Sequence, residues 1–196
     1  MKKVISVIMC IVLCIVSFAG CSSAEAELTE ENVTATVDKA MTALKDFDSE
    51  NLKKYISSET LSTILTYADK QEQFADLGRA MFANLEYQVM DIDLENKTVL
   101  VAVNNKDLSN VASDFVRELQ RTYSTVELLT KLSNDTFLDS KLVVLCNKID
   151  NAEMMDGYVD ITLTIDDSGK NLVLVFDENA ENQVSGGALS TIMGMF

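Results

Sequence analysis

From Thr29 onward apolar residues recur at helical spacing. Val33, Val37, Ala40, Met41 and Leu44 share one face, behind a Thr29 able to cap the helix and a Glu30–Glu31 pair suited to its positive end. Asp48 or Ser49 opens a short second piece carrying Leu52, Tyr55 and Ile56. Ser58 starts a third with Leu61, Ile64, Leu65 and Ala68, and Phe74, Leu77, Met81 and Leu85 prolong the stripe.

The period then drops to two. Leu85–Leu94 and Thr98–Val103 read as a hairpin turning at Glu95-Asn96-Lys97, with Val99, Val101 and Val103 on one face. The first strand does not alternate cleanly, since Tyr87 and Val89 fall on one face and Ile92 and Leu94 on the other. A bulge near Met90-Asp91 reconciles them, because one extra residue swaps the faces. Asp107 or Ser109 then opens a long helix through Val111, Phe115, Leu119, Val126 and Leu129. A further helix carries Leu138, Leu142, Leu145, Cys146 and Ile149, and this stripe predicts Cys146 to be a small buried hydrophobe. A second hairpin pairs Val159, Ile161, Leu163 and Ile165 with Leu172, Leu174 and Phe176 across Asp166-Asp167-Ser168-Gly169. Leu189, Ile192, Met193 and Phe196 suggest a short closing helix. Helices, hairpin, helices, hairpin, helix is the order of an α+β domain: N-terminal helices packed on an antiparallel sheet of two hairpins, with helices between them.

The stretch before Thr29 has a different character. Two lysines precede Val4–Phe18, a run without charge that is short for crossing a bilayer, and small residues follow. Residues 1–20 are expected to be an export signal. Ser17-Phe18-Ala19-Gly20-Cys21 resembles the lipobox of bacterial lipoproteins, which implies cleavage before Cys21 and lipidation of its thiol. Two acyl chains hold a protein on a membrane stably where one does not. On this reading 21–28 is a lipidated cysteine with a short acidic tether, and 29–196 a single extracytoplasmic domain. The expected location is the outer face of a bacterial cell membrane, Gram-positive by the family resemblance below. Cys10 and Cys14 fall in the signal, so Cys146 is the one thiol left and no internal disulfide is expected.

Charge narrows the partners. The chain carries −15, and without the two signal lysines 14 basic side chains face 31 acidic ones, a balance of −17. Such a surface repels nucleic-acid phosphates, so no nucleic acid is expected as a partner. The chain has no His. Catalytic triads and most zinc sites use imidazole, and no Ser-x-x-Lys, Gly-x-Ser-x-Gly, phosphate-loop or dinucleotide fingerprint is present. Asp91, Asp93 and Glu95, and again Asp177, Asn179 and Glu181, start like calcium loops. Asn96 and Ala102, then Asn182 and Ala188, stand where such a loop needs Gly and Glu. No metal, cofactor or catalytic residue is expected.

Tyr87-Gln-Val-Met-Asp-Ile, Val99-Leu-Val-Ala-Val-Asn-Asn-Lys-Asp107-Leu and the Gly-Gly-Ala-Leu stretch, behind a helical half, resemble Gram-positive lipoproteins with a nuclear-transport-factor-two-like (cystatin-like) domain. That resemblance implies a strongly curved sheet wrapped on helices, often around a pocket, and assigns no catalytic residue. The expected function is non-catalytic binding of a small ligand or an envelope protein by a domain whose membrane contact is its lipid anchor. The competing reading is a small-pocket enzyme with Asp107 as base and Tyr55, Tyr87 or Tyr158 as donor. Against it, Asp107 is well placed to cap the helix through Val111.

Overall fold

The computed structural model describes residues 26–69 and 72–189. Cys21, residues 1–20 with their expected export signal, and Ile192, Met193 and Phe196 lie outside the described residues. The N-terminal helices follow their caps. Helix α1 (Glu30–Asp46) starts where the Thr29 side chain accepts from Asn32 N–H, and α2 (Ser49–Tyr55) where Asp48 accepts from Glu50 and Asn51. The first turns hard into the second at Phe47, which takes a left-handed φ of 49° and closes the helix end through Asp48 N–H to Ala43 O. Strand β1 (Ile56–Ser57) is followed by α3 (Glu59–Ala68), capped by Ser58, and α4 (Glu72–Phe82).

The sheet is an open, five-stranded one in the order β1-β5-β4-β3-β2, where β2 is Glu86–Asp93, β3 Thr98–Asn104, β4 Val159–Asp166 and β5 Val173–Val175. The two hairpins join through an antiparallel β3–β4 pairing, while the two-residue β1 adds in parallel along β5. The first hairpin carries the predicted bulge. Tyr87 faces Val103 and Val89 faces Val101, then the register shifts and Ile92 faces Val99, with Met90 as the extra, exposed residue. One sheet face therefore presents Val99, Val101, Val103, Ile161, Leu163 and Ile165, all buried, to the helices. The other face carries Asp160, Thr162 and Thr164, all exposed, beside Leu100 and Ala102.

Three helices fill the crossover between the hairpins: α5 (Val111–Thr122), α6 (Thr125–Leu132) and α7 (Asp135–Asp150). Three expectations are corrected here. The long helix through Leu129 is two, because the backbone is extended at Tyr123 and Ser124 starts α6 with a reciprocal Ser124–Glu127 cap. Asp107 does not cap α5; its carboxylate accepts from Ser109 N–H and Oγ two residues on, and Asn110 precedes the helix without a side-chain cap bond. Cys146 is half-buried rather than enclosed, since α7 buries only Leu142 and Ile149 and leaves Val143 and Val144 exposed. Burial nevertheless pushes its thiol pKa up, with Asp150 and Asp76 adding to the shift. A last helix, α8 (Glu178–Val184), is capped by Asp177. Among the described residues no helix is long and apolar enough to cross a membrane.

Candidate functional site

The strand pairing brings two polar residues together from opposite ends of the domain. Strand β1 lies along β5, and Phe176 N–H donates to Ser57 O at 2.9 Å, so Ser58 and the start of α8 leave the sheet side by side. The Ser58 hydroxyl donates to Glu181 Oε1 in a short hydrogen bond while accepting Leu61 N–H at 2.9 Å as the cap of α3. Glu181 is only 8% exposed and Ser58 is part-buried. Their recess is walled by Leu44, Ile56, Leu61, Phe82, Phe176 and Val184, and holds a free volume of about 20 Å³. That is room for one water-sized group.

Across Ile64, Phe82 and Leu189, which wall both spaces, the recess adjoins a larger one between α3 and α4. This groove has a volume of about 160 Å³ and is apolar, lined by Ile64, Tyr67, Phe74, Leu77 and Met81 among others. Tyr67, 56% exposed, and Phe74 contact one another as tilted rings 6.1 Å apart. Gly78 is small for a reason: a Cβ there would stand 2.4 Å from the Phe47 ring, which stacks on Phe82 behind the groove.

Asn105 holds these walls in place. It is fully buried, and its amide donates to Met81 O at 3.0 Å and Val184 O at 2.7 Å, joining the ends of α4 and α8 to the end of β3. Its Oδ1 accepts Lys106 N–H. Close by, Gly186 has φ +62° and a Cβ there would meet Lys106 O at 1.9 Å, so only glycine lets α8 pass the strand end.

Glu181 has no basic partner among the described residues. The five ion pairs among the described residues use other acids, and its one hydrogen bond is to the neutral Ser58. A carboxylate so largely removed from water without a counter-charge is costly.

The residues singled out in the sequence lie elsewhere. Asp107 is exposed and turned to Ser109. Tyr87 donates to Asp38 at 3.2 Å and Tyr158 to Glu86 at 2.8 Å, while Tyr55 packs under Lys39 and Lys54. The structure thus brings none of the three tyrosines to Asp107 by a hydrogen bond. Asp93 closes the first hairpin turn by accepting from Asn96, and Asp177 caps α8. Glu181 was visible only as the last acid of a failed calcium loop. The signal that marks it is an acid inside the apolar stripe Ala180, Val184 and Ala188.

No protein-family model matches the chain, and no curated protein matches it. Among solved structures, a Bacillus subtilis candidate lipoprotein, YcdA, matches with a TM-score of 0.43 and 12% identity over 83% of this chain. The chain spans 56% of the length of that structure.

Proposed function

We propose that the chain is a membrane-tethered extracytoplasmic lipoprotein, held by Cys21, whose domain binds a small ligand without transforming it. The observation that carries the binding half is Glu181, a carboxylate without a counter-charge at the inner end of an apolar groove. Binding sites combine apolar walls with a few placed polar groups, and this pair of spaces has that composition. An α+β order with helices laid on a sheet supports reading the domain as nuclear-transport-factor-two-like. The anchor half rests on the charged start, the short apolar run and the Ser17–Cys21 motif.

Each half has its own test. In cells fed a labelled fatty acid, the wild-type chain takes up label and stays with membranes, and Cys21→Ser loses both. Equal labelling of the two would refute the anchor. For binding, a groove of this size accommodates a small apolar probe such as benzene, which raises the melting temperature of any protein whose folded state takes it up. Leu77→Trp fills the groove and abolishes that rise.

A further inference from the structure

The ligand's chemistry follows from what the recess lacks. Resting on the reading of the groove as a ligand site, we propose that it takes a small primary amine, with the ammonium beside Glu181 and Ser58 and a short apolar tail between α3 and α4.

Three observations converge on this class. The first is charge: Glu181 is 8% exposed and pairs with no Lys or Arg among the described residues, so a cation completes what the protein leaves open, whereas a carboxylate ligand would double the negative charge. Size is the second. A recess of about 20 Å³ admits a group as small as water, which an ammonium is and a guanidinium or a quaternary ammonium is not. The third is hydrogen bonding. An ammonium donates three bonds and accepts none, and the two polar side chains that line the recess can accept: the Glu181 carboxylate, and the lone pair that Ser58 Oγ keeps after accepting Leu61 N–H. The adjoining groove, about 160 Å³ and almost free of polar surface, gives the rest of the molecule only apolar contacts. A tail of a few carbons fits it, since sites for drug-sized ligands run to ~300–1,000 Å³. The charge of −17 on the mature chain draws cations toward the whole surface and speeds their arrival.

The test titrates the full chain in lipid nanodiscs, with empty discs subtracted, against hexylammonium, 1-hexanol and hexanoate. Hexylammonium is expected to bind at least about tenfold more tightly than hexanol, the ratio that a hydrogen bond to a charged group supports. Hexanoate is expected not to bind. Glu181→Gln keeps the shape and the Ser58 contact but removes the charge, so it should bring hexylammonium down to the level of hexanol. Leu77→Trp, at a position that lines the groove but not the recess, should abolish both, and a cooperative melting transition like that of the wild type shows that the Gln variant is folded. If hexanol and hexanoate match hexylammonium, or Glu181→Gln leaves the preference intact, the amine assignment falls while the groove stands as a site. If no probe binds, both fall, and the recess holds water alone.

Discussion

At the scale of single residues, the cost of a polar group depends on who else is buried with it. Asn105 satisfies two carbonyls that no water reaches, on elements 24 and 79 residues away. Asn105→Ala strands both, and each unsatisfied buried group costs about 1–3 kcal/mol, so chemical denaturation should show a loss of roughly 2–6 kcal/mol. A loss below about 1 kcal/mol would mean that the ends of α4 and α8 are held by packing alone. Cys146 gives the second residue-level expectation. Its pKa is raised by burial first and by Asp150 and Asp76 second, so less thiolate exists at pH 8 than in a free cysteine. Alkylation of the folded chain should therefore be slower than that of the unfolded chain at pH 8, and should accelerate as pH climbs through the raised value. Equal rates folded and unfolded would show an open, unshifted thiol.

At the scale of elements, pattern and structure agree where one periodicity governs a whole segment. The Val99–Val103 alternation and the α1 stripe needed no tertiary information, and the bulge at Met90 was legible because two runs of opposite phase face one regular partner strand. The reading failed where apolar spacing runs unbroken through a local stop. Leu119, Val126 and Leu129 keep helical spacing across Tyr123-Ser124, yet Ser124 and Glu127 satisfy one another's backbone groups and start a new helix there. The Tyr123 ring, edge-on to Phe137 at 5.5 Å with Lys131 and Lys141 over the rings, fixes the corner against α7. Glu127 is held below its ordinary pKa by the bonds from Ser124. A depressed carboxylate stabilises above its unfolded pKa, and this corner loosens as pH falls through the folded value. Cys146 was misjudged for a related reason: a stripe tells which face turns inward, but α7 packs on α4, α5 and α6 at the rim, where inward is only half covered.

At the scale of the molecule, the candidate site was the least legible feature. Ser58 and Glu181 are 123 residues apart, and each has an ordinary local role, one as a cap and the other as a residue of a short helix. Only the parallel addition of β1 to β5 makes them neighbours, and a two-residue strand leaves no periodicity to read. The same architecture separates the start of the described chain from the crossover helices. Ala26 N–H donates to Lys170 O beside the hairpin turns, where Lys97 also pairs with Asp167, whereas α5–α7 leave and return at the other end of the sheet through Asp107 and Glu153. The groove between α3 and α4 is built on the helical layer.

That groove is the centre of the account, and NMR of the methyl groups tests it most directly. On addition of benzene to the full chain in nanodiscs, the predicted shifts fall on Ile64, Leu77, Met81 and Leu189, and vanish in Leu77→Trp. Shifts confined to the open surface between α1 and α2, around Thr42 and Ala43, or identical shifts in the Trp variant, would contradict it.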